Sequence, residues 1–189
     1  MPHTLDPHRT ALILIDLQEG IVSLPTAPRS GAEVVAASKI VAERFRHAGA
    51  VVVLVNVAFA ADGKDALSAP VDKPLHDPNT SLPAHWAELV PDLAREGDLR
   101  VTKHQWGAFY GTDLDLQLRR RGINTIVLGG IATNMGVEST ARAAHEHGYH
   151  VIILEDLTAG LDEEMHHFAF QRLFPHLARI RQSNEIQFS

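Results

Sequence analysis

Four runs of the chain are apolar at consecutive positions: "ALILID" (11–16), "AVVVLVNVAF" (50–59), "TIVLGGI" (125–131) and "YHVIILED" (149–156). A strand with no polar face is buried on both sides, which is the habit of a parallel sheet covered by helices. "DLRVTKH" (98–104) is shorter and more polar and predicts a weaker strand. "ARIRQSNEI" (178–186) predicts a last edge strand.

Helical patterns lie between these runs. In 32–48, Val34, Val35, Ile40, Val41 and Phe45 recur near helical spacing, and Gly49 supplies a C-terminal stop. The segment 134–148 is rich in small residues that allow close packing on a sheet, and it ends before Gly148. In 162–174 the apolar residues share one side, and Pro175 ends the helix. "GTDLDLQLRRRG" (111–122) carries two conflicting signals: Leu114, Leu116 and Leu118 alternate as in a strand. Yet Thr112 is a good N-cap, acids come early, arginines come late and Gly122 follows. That order complements a helix dipole, so a helix is expected.

Strands alternating with helices predict an α/β domain with a parallel sheet covered on both faces. The length of 189 residues suits one such domain over 1–189. The segment 57–99 is less regular and holds many of the prolines. A connection of that length in a compact domain is expected to cover a pocket.

Composition narrows the partners. Hydrophobic residues make up 45% and charged residues 21%, as in a soluble protein with a full core. The net charge is −6 and no basic stripe is present, so nucleic acid is not an expected partner. No apolar run is long enough to span a bilayer, and "MPHTLDPHRT" has no apolar signal-peptide core. The expected location is the cytoplasm, with no membrane partner. There is no cysteine, which removes disulfides and thiolate chemistry. Of the twelve histidines, His145 and His147 are two apart, and His166 and His167 are adjacent. Neither pair has the i, i+4 spacing that sets two imidazoles on one metal. They read as solvated helix histidines.

In open α/β sheets ligands bind beyond the C-terminal ends of the strands. Asp16 stands there, followed by Gln18; so do Asn56, Lys103, the turn "GGIATNMG" (129–136), and Glu155 with Asp156. If Asp16 and Lys103 share a cavity, the ammonium favours the carboxylate and burial opposes it. The balance sets whether Asp16 is an acid or a base near neutral pH. The plainer alternative is a turn-forming Asp and a solvated Lys. A helix starting near Thr133 or Asn134 presents free backbone N–H groups, able to hold a carboxylate or an oxyanion. Gly136 lets a ligand approach them, or simply relieves crowding under the sheet. Trp106, Phe109 and Tyr110 are candidate pocket walls or core residues, and Gln18 either orients Asp16 or makes a structural hydrogen bond.

At these residues the sequence resembles the isochorismatase-like hydrolase superfamily. The matching blocks are "ALILIDLQEGIV" (11–22) and the stretch from "VTKHQWGAFYGTDL" (101–114) through "VLGGIATNMGVESTAR" (127–142) to "VIILED" (151–156), in that order. The resemblance implies a three-layer α/β/α fold with a six-stranded, mostly parallel sheet in the order 3-2-1-4-5-6. It also implies a homo-oligomer, a dimer or a larger even-numbered assembly. Asp16 takes the family's acid position and Lys103 its lysine position. The position of the nucleophilic Cys in the family's cysteine hydrolases falls on Gly136. A cis peptide is implied at Ile131–Ala132, with the N–H groups of Ala132 and Gly136 as an oxyanion hole. Asn134 joins Gln18, Trp106, Phe109 and Tyr110 as implied pocket residues.

Without a thiol, thioester chemistry is excluded. The metal-binding Asp-x-His of many nicotinamidases is missing from "NVAFAADGKD" (56–65), so no metal and no cofactor are expected. Isochorismatases also carry Gly at the cysteine position. They cleave a vinyl ether by protonating its terminal carbon, and water then attacks. This chain departs from them in having Ala132 and Asn134 where Tyr and His are typical, and no carboxylate-gripping Arg is evident between Asn56 and Leu93. The leading expectation is a hydrolase of a small carboxylate or carbonyl compound, using Asp16, Lys103 and water. A non-catalytic relative that binds a metabolite or a partner chain is the second reading. A nucleophilic Ser139 or Thr133 is the third, with no His placed by sequence to activate Ser139.

Overall fold

The computed structural model describes residues 3–75 and 81–189. Its strands are β1 (His3–Leu5), β2 (Thr10–Ile15), β3 (Val51–Val57), β4 (Leu99–Lys103), β5 (Thr125–Ile131), β6 (His150–Ala159), β7 (Arg179–Arg181) and β8 (Ile186–Phe188). Six of them form one sheet in the order β4-β3-β2-β5-β6-β7. Numbered among themselves, these six read 3-2-1-4-5-6, as expected, and every pairing is parallel. The chain leaves β2 towards β3 on one side and later returns to β5 on the other. A crevice therefore opens between the C-terminal ends of β2 and β5, where such sheets bind ligands.

The helices are α1 (Glu19–Val22), α2 (Gly31–His47), α3 (Leu114–Arg120), α4 (Glu138–Glu146) and α5 (Glu163–Phe168). Helix α2 starts on a capping box: Ser30 Oγ accepts from Glu33 N (3.3 Å), and Glu33 accepts from Ser30 N (2.8 Å). The ambiguous leucine run is a helix. Leu114 and Leu118, four apart, are buried, while Leu116 points outward at 46% exposure. The alternation was thus one helical stripe with an extra surface leucine.

Strand β2 shows why its run is apolar throughout. Ala11, Ile13 and Ile15 pack with Leu114, Leu118, Val137, Ala141 and Phe170 on one face. Leu12 and Leu14 pack with Val34, Val41 and Phe45 of α2 on the other. Both faces are core, so the run from Ala11 to Ile15 is apolar throughout, and the one polar residue of the strand, Thr10, is bonded to the Asp6 carbonyl at 2.7 Å. No helix of the described residues is long and apolar enough to cross a membrane.

Three features differ from the sequence expectation. First, the helix expected over 162–174 is α5 followed by a wider π turn (Ala169–Leu173) and a tight turn at Phe174–His176. The widened turn brings Phe170 and Phe174 edge to face at 5.0 Å. Second, β6 continues past Asp156 to Ala159 after a register shift against β5. Glu155 and Asp156 therefore do not stand in the crevice. Glu155 accepts from Gln182 Nε2 (2.9 Å), and Asp156 from Ser183 N (2.9 Å), tying β6 to the C-terminal segment. Third, β1 and β8 pair as a separate parallel two-stranded sheet. Their sequences, HTL and IQF, are too short and mixed to carry a period.

Candidate functional site

The crevice is built by close backbone approach. A Cβ on Gly130 would lie 2.2 Å from the carbonyl of Ile15, and Gly130 holds φ +123°. Only glycine allows the end of β5 to lie this close to the end of β2. The Ile131–Ala132 peptide that follows is cis, as the family resemblance implied. The chain then makes a π turn (Thr133–Val137) and enters α4. The N–H groups of Met135 and Val137 both bond to the Ala132 carbonyl.

Asp16 leaves β2 with φ +52°, a left-handed backbone that Asp tolerates better than most residues. Its N–H is held by the Val55 carbonyl at 2.9 Å. Lys103 ends β4, two strands away, and its long side chain reaches back under β3. Lys103 Nζ donates to Asp16 Oδ2 at 2.8 Å and to the Gln105 carbonyl at 3.0 Å. The pair is enclosed, with Asp16 5% and Lys103 1% exposed. Burial pushes the Asp16 carboxyl up to about 6, and the Lys103 charge and hydrogen bond only partly oppose it. Asp16 is therefore an acid that changes protonation near neutral pH. Its Oδ1 is buried without a partner among the described residues. The reading of a solvated lysine is corrected: the two strand ends do share one site.

Gly136 faces this carboxyl. A Cβ there would lie 2.8 Å from Ile15 Cγ2, 3.1 Å from Asp16 Oδ2 and 3.3 Å from the Trp106 carbonyl. The site has closed around the missing side chain. Gly136→Cys is expected to destabilise the protein by about 1–3 kcal/mol through overpacking. It is also expected to install no thiol amidase activity, because the sulfur carrier displaces Ile15. Urea denaturation and an amide-hydrolysis assay on the variant check both parts.

Several expected pocket residues sit elsewhere. Gln18 is fully buried, but its amide bonds to the Val57 backbone on both sides (2.8 and 3.0 Å) and to the Trp86 carbonyl (3.0 Å), not to Asp16. It splices β3 to the segment around Trp86, and that segment runs alongside Leu17–Gly20. The described part of the long connection thus runs along the exit of β2, and residues 76–80 of it lie outside the described residues. Phe109 packs on Tyr149 at 5.9 Å and on His147 at 5.1 Å, which makes it a core residue rather than a pocket wall. Tyr110 is 83% exposed, and Trp106 is 45% exposed with its carbonyl against Gly136. Asn56 accepts from Thr102 (2.8 Å) and donates to the Ala87 carbonyl (2.9 Å). Asn134 stays at the turn, and its Nδ2 donates to the Met165 carbonyl at 3.0 Å. Two surface grooves, of about 650 and 530 Å³, lie along β7 and beside β4, and neither is lined by Asp16 or Lys103. Among the described residues, no group of three or more His, Asp or Glu could hold a metal.

One residue of the site region was misread. His166 is not solvated but fully buried. Its Nδ1 lies 2.7 Å from Thr133 Oγ1, and its ring packs 4.7 Å from that of Phe170. The signal was in the sequence: position 166 lies four before Phe170, on the apolar side of the 162–174 stripe.

A parallel sheet with a buried acid–lysine pair, facing a glycine turn at its switch point, defines an α/β protein with an enclosed ion pair where such sheets bind ligands. The isochorismatase domain family matches residues 10–185, and the chain belongs to it. It is an isochorismatase-family hydrolase. It is 49% identical over 182 residues to the uncharacterised isochorismatase family protein YwoC of Bacillus subtilis, covering 96% of this chain and 94% of that one. A solved isochorismatase family protein from Burkholderia thailandensis superposes with TM-score 0.92 at 45% identity, covering 98% and 97% of the two chains. More distantly, the ureidoacrylate amidohydrolase RutB of Caulobacter vibrioides is 34% identical over 179 residues, covering 83% of this chain and 80% of that one.

Proposed function

We propose that the protein hydrolyses a small carboxylate or carbonyl compound with Asp16 as general acid, Lys103 as its charge partner and water as nucleophile. The observation that carries this reading is the enclosed Asp16–Lys103 pair at 2.8 Å, set against Gly136 in a chain with no thiol. An acid poised near 6 can hold a proton and release it close to the working pH. For a vinyl ether of the isochorismate type, the Asp16 proton goes to the terminal vinyl carbon. Water adds to the resulting oxocarbenium carbon and yields its proton to the carboxylate. Asp16 has thereby regained its proton, and the hemiketal collapses to pyruvate and the free alcohol as its hydroxyl proton passes to the leaving oxygen. The N–H groups of Ala132 and Gly136 are the groups we assign to the substrate oxygen or carboxylate.

The likeness to RutB favours a second reading, hydrolysis of an amide or ureido compound with the Asp16 carboxylate as base for water. Incubating the protein with isochorismate and with ureidoacrylate, and following pyruvate and ammonia, separates the two. Pyruvate alone is the expected result. Ammonia alone would transfer the assignment to the amide reaction. Binding of either compound without turnover, equal in the native protein and in Asp16→Asn, would make this a non-catalytic relative.

A further inference from the structure

We propose that His166 is a positioning residue for the turn that faces Asp16, clamping it from α5 through the Thr133 hydroxyl. Two bonds make the clamp. His166 Nδ1 meets Thr133 Oγ1 at 2.7 Å, and the neighbouring Met165 carbonyl accepts from Asn134 Nδ2 at 3.0 Å. Thr133 and Asn134 are the two residues directly after the cis peptide, and Gly136 follows two positions later. Gly160 lies against both residues: a Cβ there would sit 3.3 Å from the Asp162 carbonyl, 3.4 Å from His166 Cβ and 3.5 Å from Thr133 Oγ1. Gly160 is itself held by reciprocal backbone bonds to Ala27 (2.9 and 2.8 Å).

The pair has the elements of a nucleophile and its base, but its surroundings assign it another role. Thr133 and His166 are both fully buried, and the hydroxyl is already engaged by the imidazole at 2.7 Å. The other ring nitrogen, Nε2, is buried with no partner among the described residues, so no third group orients the ring. A buried nitrogen without a partner weakens a fold. A phenyl ring would fill the same space without that penalty, but it would leave the Thr133 hydroxyl alone. What the imidazole supplies is the hold on Thr133. A hydroxyl can donate to Nδ1 or accept from it, so the neutral ring makes the bond in either tautomer. Burial, then Arg29 and His167 beside it, push His166 down to about 4, which keeps the ring neutral at neutral pH.

Thr133→Val, His166→Phe, their double variant and His166→Asn test the clamp. Amide hydrogen exchange at residues 132–136 is expected to quicken about tenfold or more in both single variants and no further in the double one. His166→Asn, whose amide reaches the place of Nδ1, should restore the native exchange. The activity arm rests on the proposed hydrolysis. With isochorismate, kcat should fall between about ten- and a hundredfold in the single variants with KM little changed, since the turn is displaced but the substrate groups remain. Native exchange at 132–136 in Thr133→Val would overturn the proposal, as would additive effects in the double variant. Should His166→Phe fail to fold, Thr133→Val decides alone. Absence of turnover in the native protein would count against the hydrolysis reading only, because the exchange arm stands without a substrate.

Discussion

Asp16→Asn is expected to lower turnover by about 10²–10⁴-fold while leaving the fold in place. The amide keeps the volume of the carboxyl and an oxygen for Lys103 Nζ, which lies 2.8 Å from Asp16 Oδ2. What it loses is the proton that the proposed mechanism draws from Asp16. Circular dichroism and a melting curve establish that the variant is folded, and pyruvate release from isochorismate reads the loss. Turnover within about threefold of native would remove Asp16 from the mechanism.

Lys103→Met is expected to show its largest effect in stability, and one that depends on pH. The substitution keeps the length of the side chain and removes the charge. Breaking a buried ion pair from one side typically costs about 3–5 kcal/mol. Lys103 lowers the Asp16 pKa, so its removal sends the carboxyl above about 6. Asp16 then binds its proton more tightly folded than unfolded. Such a group stabilises the native state fully below its unfolded value and loses that contribution as pH rises through the folded value. The variant should therefore be close to native in urea denaturation at pH 4–5 and progressively weaker through pH 6–8. A loss of equal size at every pH would mean that Lys103 serves packing rather than charge.

Much of this architecture is legible in the sequence, for a physical reason. Strands buried on both faces must be apolar at every position, and helices on a sheet must show one apolar side. These demands put β2, β3, β5 and β6 in plain view and resolved 111–122 through its caps and charge order. Strands β1 and β8 stayed hidden because three residues of mixed polarity carry no period. Asp16 and Lys103 could be nominated as residues at strand ends, but their contact spans 87 positions and no local pattern encodes it. Gln18 and Phe109 were drawn into the pocket by proximity in sequence. The structure uses one to join β3 to the Trp86 segment and the other to fill the core. His166 shows the converse error. Residue type suggested solvent, while its place on the apolar stripe of 162–174 pointed inward.

The most direct test of the acid–water account is the pH dependence of kcat/KM, which reports the free enzyme, for pyruvate release from isochorismate by the native protein. A general acid must hold its proton when substrate binds. Asp16 is raised to about 6, so the rate is expected to be flat below that value and to fall as pH rises through it. Pyruvate release that climbs or stays level from pH 5 to pH 8 would contradict Asp16 as the acid.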